Sequence, residues 1–203
     1  MKFQIIAGEL CLDFINTLDN RPVPERRKEL VPSYQALVEW ARQARGLSTA
    51  RHATLEREAE SHPKEAVAVH AQAVELRECL YRIVTAVGRN RKASENDLRR
   101  LNTYLGEALS PLELHPVHRG FRLEWPENSR RLDSVLWPIA RSASDLLTGD
   151  DLRHIRECGV DTCRWLFVDR SKNHSRRWCN MKVCGNRIKA RKFYRRQAAR
   201  NAG

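Results

Sequence analysis

Four cysteines near the C-terminal end constrain this chain more than any other feature of its sequence. They form two pairs with the spacing C-x4-C-x15-C-x4-C, at Cys158, Cys163, Cys179 and Cys184. A tetrahedral metal ion takes four soft ligands, which short loops deliver two at a time. The spacing therefore predicts a structural Zn²⁺ site with all four sulfurs as ligands. Such a site has no open position for a substrate, which argues against catalysis by the metal.

Histidines offer an alternative set of ligands. His154 and His174 could each replace one cysteine, but four cysteines already complete a structural site. His115 and His118 lack such a partner set and are interpreted as turn residues. The remaining cysteines, Cys11 and Cys79, sit in apolar helical patterns and are predicted to be core residues.

The residues around the cysteines predict a small finger. Between the pairs, Trp165, Phe167 and Val168 favour a strand, RSKNHS favours a turn, and RRWC can return as a second strand. After Cys184 the sequence GNRIKARKFYRRQAAR reads as a helix without a breaker. A loop, a hairpin, a second loop and a helix around one metal ion make up a treble-clef-like finger.

The terminal helix of this finger is predicted to have two sides. At about 100° per residue, Ala190, Phe193 and Tyr194 share one side, which we expect to dock on the hairpin. Ile188 falls within the basic arc and is expected to pack near the metal or to touch a partner. The candidate DNA-binding side chains cover the rest of the helix: Arg187, Lys189, Arg191, Lys192, Arg195, Arg196 and Arg200.

The net charge of +12 is concentrated in this part of the chain. Residues 150–203 hold 15 of the 37 basic residues but only 5 of the 25 acidic ones. A localised basic excess is typical of a module that binds nucleic acid, and Lys and Arg are the side chains that contact phosphates. No broad apolar face accompanies the charge, and no apolar run approaches the roughly 20 residues that span a bilayer. We expect no membrane association.

The sequence also predicts where the protein works. MKFQIIAGEL lacks the apolar segment and cleavage site of a secretory signal. Reduced cysteines in the cytoplasm favour metal binding over disulfides. We therefore expect a cytoplasmic protein.

Residues 1–149 are predicted to form a mainly α domain of five or six helices, with residues 150–203 as the zinc finger. Ser94 and Asp97 resemble a capping box, and a helix over 130–147 is expected to kink at Pro138. The segment LELHPVHRGFRLEW alternates apolar and polar residues around a turn at 118–120, which predicts a small β-hairpin.

One polar cluster in this domain is a candidate ligand site. The first helix places Leu10, Phe14 and Leu18 on one face, whereas Asp13, Asn16 and Thr17 lie largely on the other. Short polar side chains could line a cleft for a small molecule. The alternative interpretation is a solvated helix face.

Two stretches resemble known families. Cys184-Gly185-Asn186-Arg187 spells CGNR, preceded by DRSKNHSRRWC and followed by KARKFYRR, and this closely resembles the CGNR zinc-finger family of bacterial proteins. The opening GELCLDFINTL resembles the start of the ABATE domain that precedes that finger. The resemblance implies a transcription regulator, with the four cysteines as zinc ligands and the finger as DNA reader. It also implies that the N-terminal domain senses a ligand or stress.

Three functional hypotheses follow. The first is a zinc-dependent DNA-binding regulator whose helical domain senses a ligand or mediates dimerisation; by analogy, specific recognition calls for a symmetric homodimer. The second is a finger that binds RNA or a protein. The third, an enzyme with a structural finger, lacks a nucleophile elbow, a phosphate loop or a catalytic metal motif. The sequence therefore favours a protein that is not an enzyme.

Overall fold

The computed structural model describes residues 2–201, without the side chains of residues 196, 199 and 201. It is mainly helical, as predicted. The described helices are α1 (Leu10–Ile15), α2 (Tyr34–Gln43), α3 (Thr49–Ser61), α4 (Pro63–Gly88), α5 (Glu95–Leu109), α6 (Trp137–Thr148) and α7 (Asn186–Asn201). The strands form antiparallel pairs: β1 (Leu18–Asp19) with β2 (Lys28–Glu29), β3 (Glu113–Val117) with β4 (Gly120–Glu124), and β5 (Ile155–Glu157) with β6 (Leu166–Val168).

Several helices begin where local chemistry predicts. The Ser33 hydroxyl accepts a hydrogen bond from the Ala36 N–H at 3.2 Å and caps α2. The Ser48 hydroxyl does the same for α3, accepting from the Arg51 N–H at 3.1 Å. Pro63 is the first residue of α4, where its missing N–H costs no hydrogen bond. These starts depend on residues within one helical turn, which is why the sequence reveals them.

Two local predictions are wrong. Ser94 precedes α5, but its side chain makes no capping bond, and the Asp97 carboxylate pairs with Arg82 on α4 at 3.0 Å. Pro138 does not kink a helix over 130–147. It occupies the first turn of α6, which begins at Trp137, after a separate 3-10 turn over Leu132–Val135. Proline is well accommodated in a first turn, so here it helps to start the helix.

The predicted hairpin is confirmed as β3 and β4. Its register pairs Leu114 with Leu123 and closes at Val117 and Gly120. Gly120 has φ +109°, a conformation that side-chain-bearing residues rarely adopt. Phe121 is 74% exposed, so one face of the hairpin is apolar and uncovered.

The core is centred on α1, which contacts α4, α6 and β6. Leu12 and Leu76 are fully buried there, together with Phe167 from β6. Cys11 and Cys79 are buried as predicted. Side chains from both predicted domains thus belong to one hydrophobic cluster. The predicted boundary after residue 149 falls just beyond α6 and stays a prediction.

Among the described helices, none combines the length and the apolar character that crossing a membrane requires.

Candidate metal centre and nucleic-acid interface

The first cysteine pair lies in the turn between β5 and β6. The Cys158 N–H donates to the Trp165 carbonyl at 2.8 Å, and the Cys163 N–H donates to the Val160 carbonyl at 2.8 Å. Arg164 then adopts φ +56°, which turns the chain back toward β6. The hairpin therefore holds the first cysteine pair at its tip.

This arrangement corrects the predicted position of the hairpin. A hairpin is present in the finger, but β6 pairs with the strand before Cys158 and not with the RRWC segment. The segment after β6 is held by buried Asp169 instead. Its carboxylate accepts bonds from the Ser171 N–H at 3.0 Å and the Arg176 N–H at 2.8 Å. A side chain that satisfies backbone donors in this way is a local alternative to strand pairing.

Hydrogen bonding keeps Asp169 ionised inside the protein. Burial alone would raise the pKa of this carboxyl, but the bonds from Ser171 and Arg176 outweigh burial and lower the pKa. The Ser171 hydroxyl adds a further bond at 2.6 Å. Asp169 is thus a structural residue of the finger that the cysteine spacing does not reveal.

The second cysteine pair is positioned by Asn180. Its side-chain oxygen accepts from the Lys182 N–H at 2.9 Å, and its carbonyl accepts from the Cys184 N–H at 2.8 Å. These bonds shape the helical turn Met181–Gly185, which places Cys184 directly before α7. The four intervening residues therefore form a capped turn that leads into the terminal helix.

The four cysteine sulfurs converge on one point. All lie within 4.8 Å of one another and all four residues are buried. The Cys163 and Cys179 sulfurs are 3.7 Å apart, and those of Cys179 and Cys184 are 3.6 Å apart. Zn–S bonds of about 2.3 Å in a tetrahedron require sulfur separations of about 3.8 Å. The arrangement fits a single tetrahedral metal ion.

Negative charge on one cysteine of the cluster disfavours negative charge on its neighbours. Hydrogen bonds from Cys163 and Cys179 lower the pKa of the Cys158 thiol, whereas the bond to Cys158 raises the pKa of Cys163 and of Cys179. Without compensation, negative charge is therefore confined to part of the cluster. A divalent ion would favour the thiolate form of all four ligands.

The histidines considered from sequence lie outside this cluster. Among the described residues, the group that could hold a metal consists of the four cysteines. His154 and His174 stack on each other instead, with ring centroids 3.9 Å apart. His115 belongs to β3, and His118 to the turn that follows it.

The basic side chains of α7 are exposed. Every described side chain from residue 189 to 200 is exposed to solvent. No ion pair in the described structure involves a basic residue of this helix. The predicted DNA-binding residues with these properties are Arg187, Lys189, Arg191, Lys192, Arg195 and Arg200, while the side chain of Arg196 lies outside the described part.

The predicted docking side of α7 is wrong. Phe193 is 58% exposed and Tyr194 is 68% exposed, so neither packs on the hairpin. Ile188 is the partly buried side chain that packs against the core. The helix begins directly after Cys184 and contacts the preceding turn. Its first turn therefore lies near the core, whereas the later turns extend into solvent.

The polar cluster of α1 is buried and already bonded. The Asp13 carboxylate accepts from the Ile6 and Ala7 N–H groups at 2.8 and 2.9 Å. Asn16 exchanges two bonds with the backbone of Leu166, at 2.8 and 2.9 Å. Thr17 accepts from Arg77 at 3.0 Å and donates to Phe14 at 2.7 Å. These residues are not solvated, and none of the described clefts is lined by all three of them, so the geometry lends no support to the ligand site predicted there.

Asn16 joins the finger to the helical part, whereas Asp13 and Thr17 bond within the helical part. Besides the Asn16 bonds, the Val168 N–H donates to the Ala7 carbonyl at 2.8 Å. Gly8 has φ +91°, and a Cβ there would lie 3.5 Å from that of Val168. The Arg176 guanidinium lies 4.4 Å from the Phe167 ring and donates to the Cys179 carbonyl. The contacts of Asn16 with Leu166 and of Ala7 with Val168 could not be predicted from the sequence, because these partners are far apart along the chain.

Comparisons with known families agree with this architecture. Residues 8–150 match the model of the ABATE family, described as "Putative stress-induced transcription regulator". Residues 154–197 match the CGNR zinc finger. A search of curated proteins gives no match. The order of the two domains confirms the resemblance stated from the sequence. The chain therefore belongs to the ABATE family and carries a C-terminal CGNR zinc finger.

Proposed function

We propose that this protein is a zinc-dependent, DNA-binding transcription regulator of the cytoplasm. The observation that carries the proposal is α7: a solvent-exposed basic helix whose charges have no acidic partners in the described structure, beginning directly after the ligand Cys184. Charges left unpaired in this way are available to a polyanion. The family description, a transcription regulator, supports the same reading.

In this proposal the four cysteines bind Zn²⁺, and the bound ion contributes on the order of 10 kcal/mol to folding of the finger. Asn180 and Asp169 shape the segments that carry the ligands. Ile188 anchors the first turn of α7 on the core. Together these residues fix the direction in which the basic helix leaves the protein.

The basic residues of α7 would then contact phosphates. Each phosphate neutralised contributes a slope of about −0.9 to a plot of log affinity against log salt. Arginine side chains can also form paired hydrogen bonds with guanine edges. Binding of this kind depends steeply on salt.

Substitutions in α7 test the proposal. Arg187→Ala and Arg191→Ala should each weaken binding to duplex DNA and reduce the salt slope by about 1, with zinc content unchanged. Arg99→Ala, which removes an exposed arginine of α5, is the matched control. Fluorescence anisotropy with a labelled duplex measures both affinity and slope. Equal affinity in all four proteins would exclude α7 as the DNA-binding element.

A second candidate is binding of single-stranded RNA. Phe193 and Tyr194 are exposed among the basic residues, and aromatic rings beside basic groups can stack on unpaired bases. Competition between duplex DNA and single-stranded RNA distinguishes the candidates. If Phe193→Ala abolishes binding of the nucleic acid that wins the competition, RNA is favoured. If Phe193→Ala leaves that binding unchanged, DNA is favoured.

We propose no catalytic role for the metal, since four sulfur ligands complete a tetrahedral set. We further propose that the protein binds specific operators as a symmetric homodimer, because one finger contacts few bases. Light scattering in solution gives the mass of the particle. Selection of bound genomic fragments shows whether two half-sites recur at a fixed spacing.

A further inference from the structure

A cleft rich in arginine lies between the helical part and the finger. Its walls come from the β1–β2 region, from α4 and from the finger hairpin, and its volume is about 780 Å³. Pockets for small molecules have volumes of roughly 300–1,000 Å³. The size suits one organic molecule.

Positive charge dominates the lining of the cleft. Five arginines face two glutamates, Glu78 and Glu157. The arginines are contributed by all three walls: Arg21, Arg27, Arg77, Arg89 and Arg164. Like charges in a cleft with low-dielectric walls focus the field and attract anions.

The glutamates do not neutralise this surplus. Arg89 and Arg164 share the single carboxylate of Glu157, each at 3.7 Å, which is longer than a hydrogen bond. Arg164 has a second partner, exposed Asp161, at 3.2 Å. Arg27 donates to the carbonyl of Arg21 at 2.7 Å and has no carboxylate partner in the described structure.

The other two arginines are firmly held. Arg77 is buried and binds both carboxylate oxygens of Glu29, at 2.7 and 2.6 Å. Arg21 pairs with Glu78, and its guanidinium lies 4.0 Å from the centre of the Tyr81 ring. Among the remaining arginines, Arg27 has no carboxylate partner in the described structure and Arg89 has only a long contact, so this side of the cleft can accept an anion.

We propose that this cleft binds a small phosphorylated organic molecule, whose phosphate contacts Arg27, Arg89 and Arg164. Phosphate carries nearly two negative charges and several acceptor oxygens, which suits a cleft lined by several guanidinium groups. The rest of the molecule would lie against Leu18, Val74 and Tyr81, which supply apolar and aromatic surface. This site is distinct from the basic face of α7 and does not depend on DNA binding.

The position of the site links it to the metal centre. Glu157 and Arg164 immediately adjoin the metal ligands Cys158 and Cys163, whereas Tyr81 belongs to α4. A phosphate that contacts arginines from both sides would hold the hairpin against α4. The cleft therefore provides a route by which a small molecule can affect the finger.

The experiment uses the full zinc-loaded chain with phenyl phosphate as the probe, measured by isothermal titration calorimetry. The double variant Arg89→Gln/Arg164→Gln removes two of the contacts, and Arg27→Gln removes the arginine without a carboxylate partner. Arg99→Gln/Arg122→Gln, on α5 and β4 outside the cleft, is the control of equal charge. Zinc content and thermal unfolding identify any variant that fails to fold, and Arg27→Gln leaves the existing ion pairs intact.

We expect the wild type and the control to bind phenyl phosphate with equal affinity. The double variant Arg89→Gln/Arg164→Gln should bind it at least about tenfold more weakly. Arg27→Gln should also weaken binding. Equal binding by all four proteins, or no binding by the wild type, would overturn the proposal. Tighter binding of benzoate would refute the assignment to phosphate. Loss of phenyl phosphate binding upon Lys192→Gln/Arg195→Gln, with the cleft variants unaffected, would place the anion on α7 instead.

Discussion

Asn16, the residue directly after α1, shows what a buried polar side chain can do when its partner is distant along the chain. The predicted helix with an apolar and a polar face is shorter than its pattern indicates, because α1 ends at Ile15 and Leu18 lies in β1. The polar residues Asp13, Asn16 and Thr17 are all buried. The helical pattern predicts either solvent or a ligand as the partner of the polar residues. Asn16 instead bonds to Leu166, 150 residues along the chain. Helical periodicity carries no information about such a partner. This residue could be located from the sequence, but its role could not.

Replacing Asn16 should destabilise the whole protein. Asn16→Ala leaves the buried N–H and carbonyl of Leu166 without partners, which costs about 1–3 kcal/mol for each group. We expect the free energy of unfolding in urea to fall by about 3 kcal/mol. Thr54→Ala, at a half-buried position of α3 where the hydroxyl bonds to the Ala50 carbonyl of the same helix, is the control. A loss below about 0.5 kcal/mol for Asn16→Ala would contradict the proposed role of this bond.

Asp13 should make stability depend on pH. Burial raises the pKa of this carboxyl to about 6, although the bonds from Ala7 and Ile6 lower it. The folded protein therefore binds a proton up to about pH 6, and the unfolded chain only up to about pH 4. The stabilisation provided by that proton is lost as pH rises through 6.

The variant Asp13→Asn lacks this titration. Between pH 5 and pH 7.5, we expect the wild type to lose about 1.4 kcal/mol of unfolding free energy relative to the variant. Contributions of the metal site to the pH dependence are common to both proteins and cancel in the difference. Parallel stability profiles would show that Asp13 is ionised throughout this range.

At the scale of elements, features that depend on neighbouring residues were predicted better than features that depend on distant ones. The caps Ser33 and Ser48, the β3–β4 hairpin and the extent of α7 all depend on neighbouring residues. The partner of β6 and the surroundings of Phe193 depend on how segments meet in space. The sequence predicts RRWC as the partner of β6, and the bonds of Asp169 to Ser171 and Arg176 show how that segment is held instead.

Two phenylalanines of the finger provide a matched test of these placements. Phe167 in β6 is fully buried, whereas Phe193 in α7 is 58% exposed. Phe167→Ala should cost about 3–5 kcal/mol of stability, and Phe193→Ala less than about 0.5 kcal/mol. Urea unfolding of the zinc-loaded variants measures both. A loss of about 2 kcal/mol or more for Phe193→Ala would approach the cost at a buried site, and would mean that α7 docks on the protein.

At the scale of the molecule, the finger and the helices share one core. Metal removal should therefore destabilise the helical part as well. Because β6 packs on α1, chelation should lower the temperature at which the helices unfold, as followed by circular dichroism. Restoring Zn²⁺ should reverse the shift. An unchanged unfolding temperature would mean that residues 1–149 fold independently, as the predicted domain boundary implies.

The four cysteines of the metal centre could be predicted from their spacing alone, since a tetrahedral site takes its sulfur ligands in pairs from short loops. The arginine cleft could not, because its walls come from segments more than a hundred residues apart, such as Arg21 and Arg164. Metal sites built on short loops are local, whereas clefts between packed parts are not.

The central claim is that the metal centre positions a basic helix for DNA, and salt-dependent binding with and without metal tests it most directly. Anisotropy of a labelled duplex should show affinity for the zinc-loaded protein that falls steeply with salt, with a slope of about −0.9 for each phosphate contacted. After chelation the affinity should drop, and Zn²⁺ should restore it. Binding that is absent, indifferent to salt, or unchanged by chelation would contradict the account.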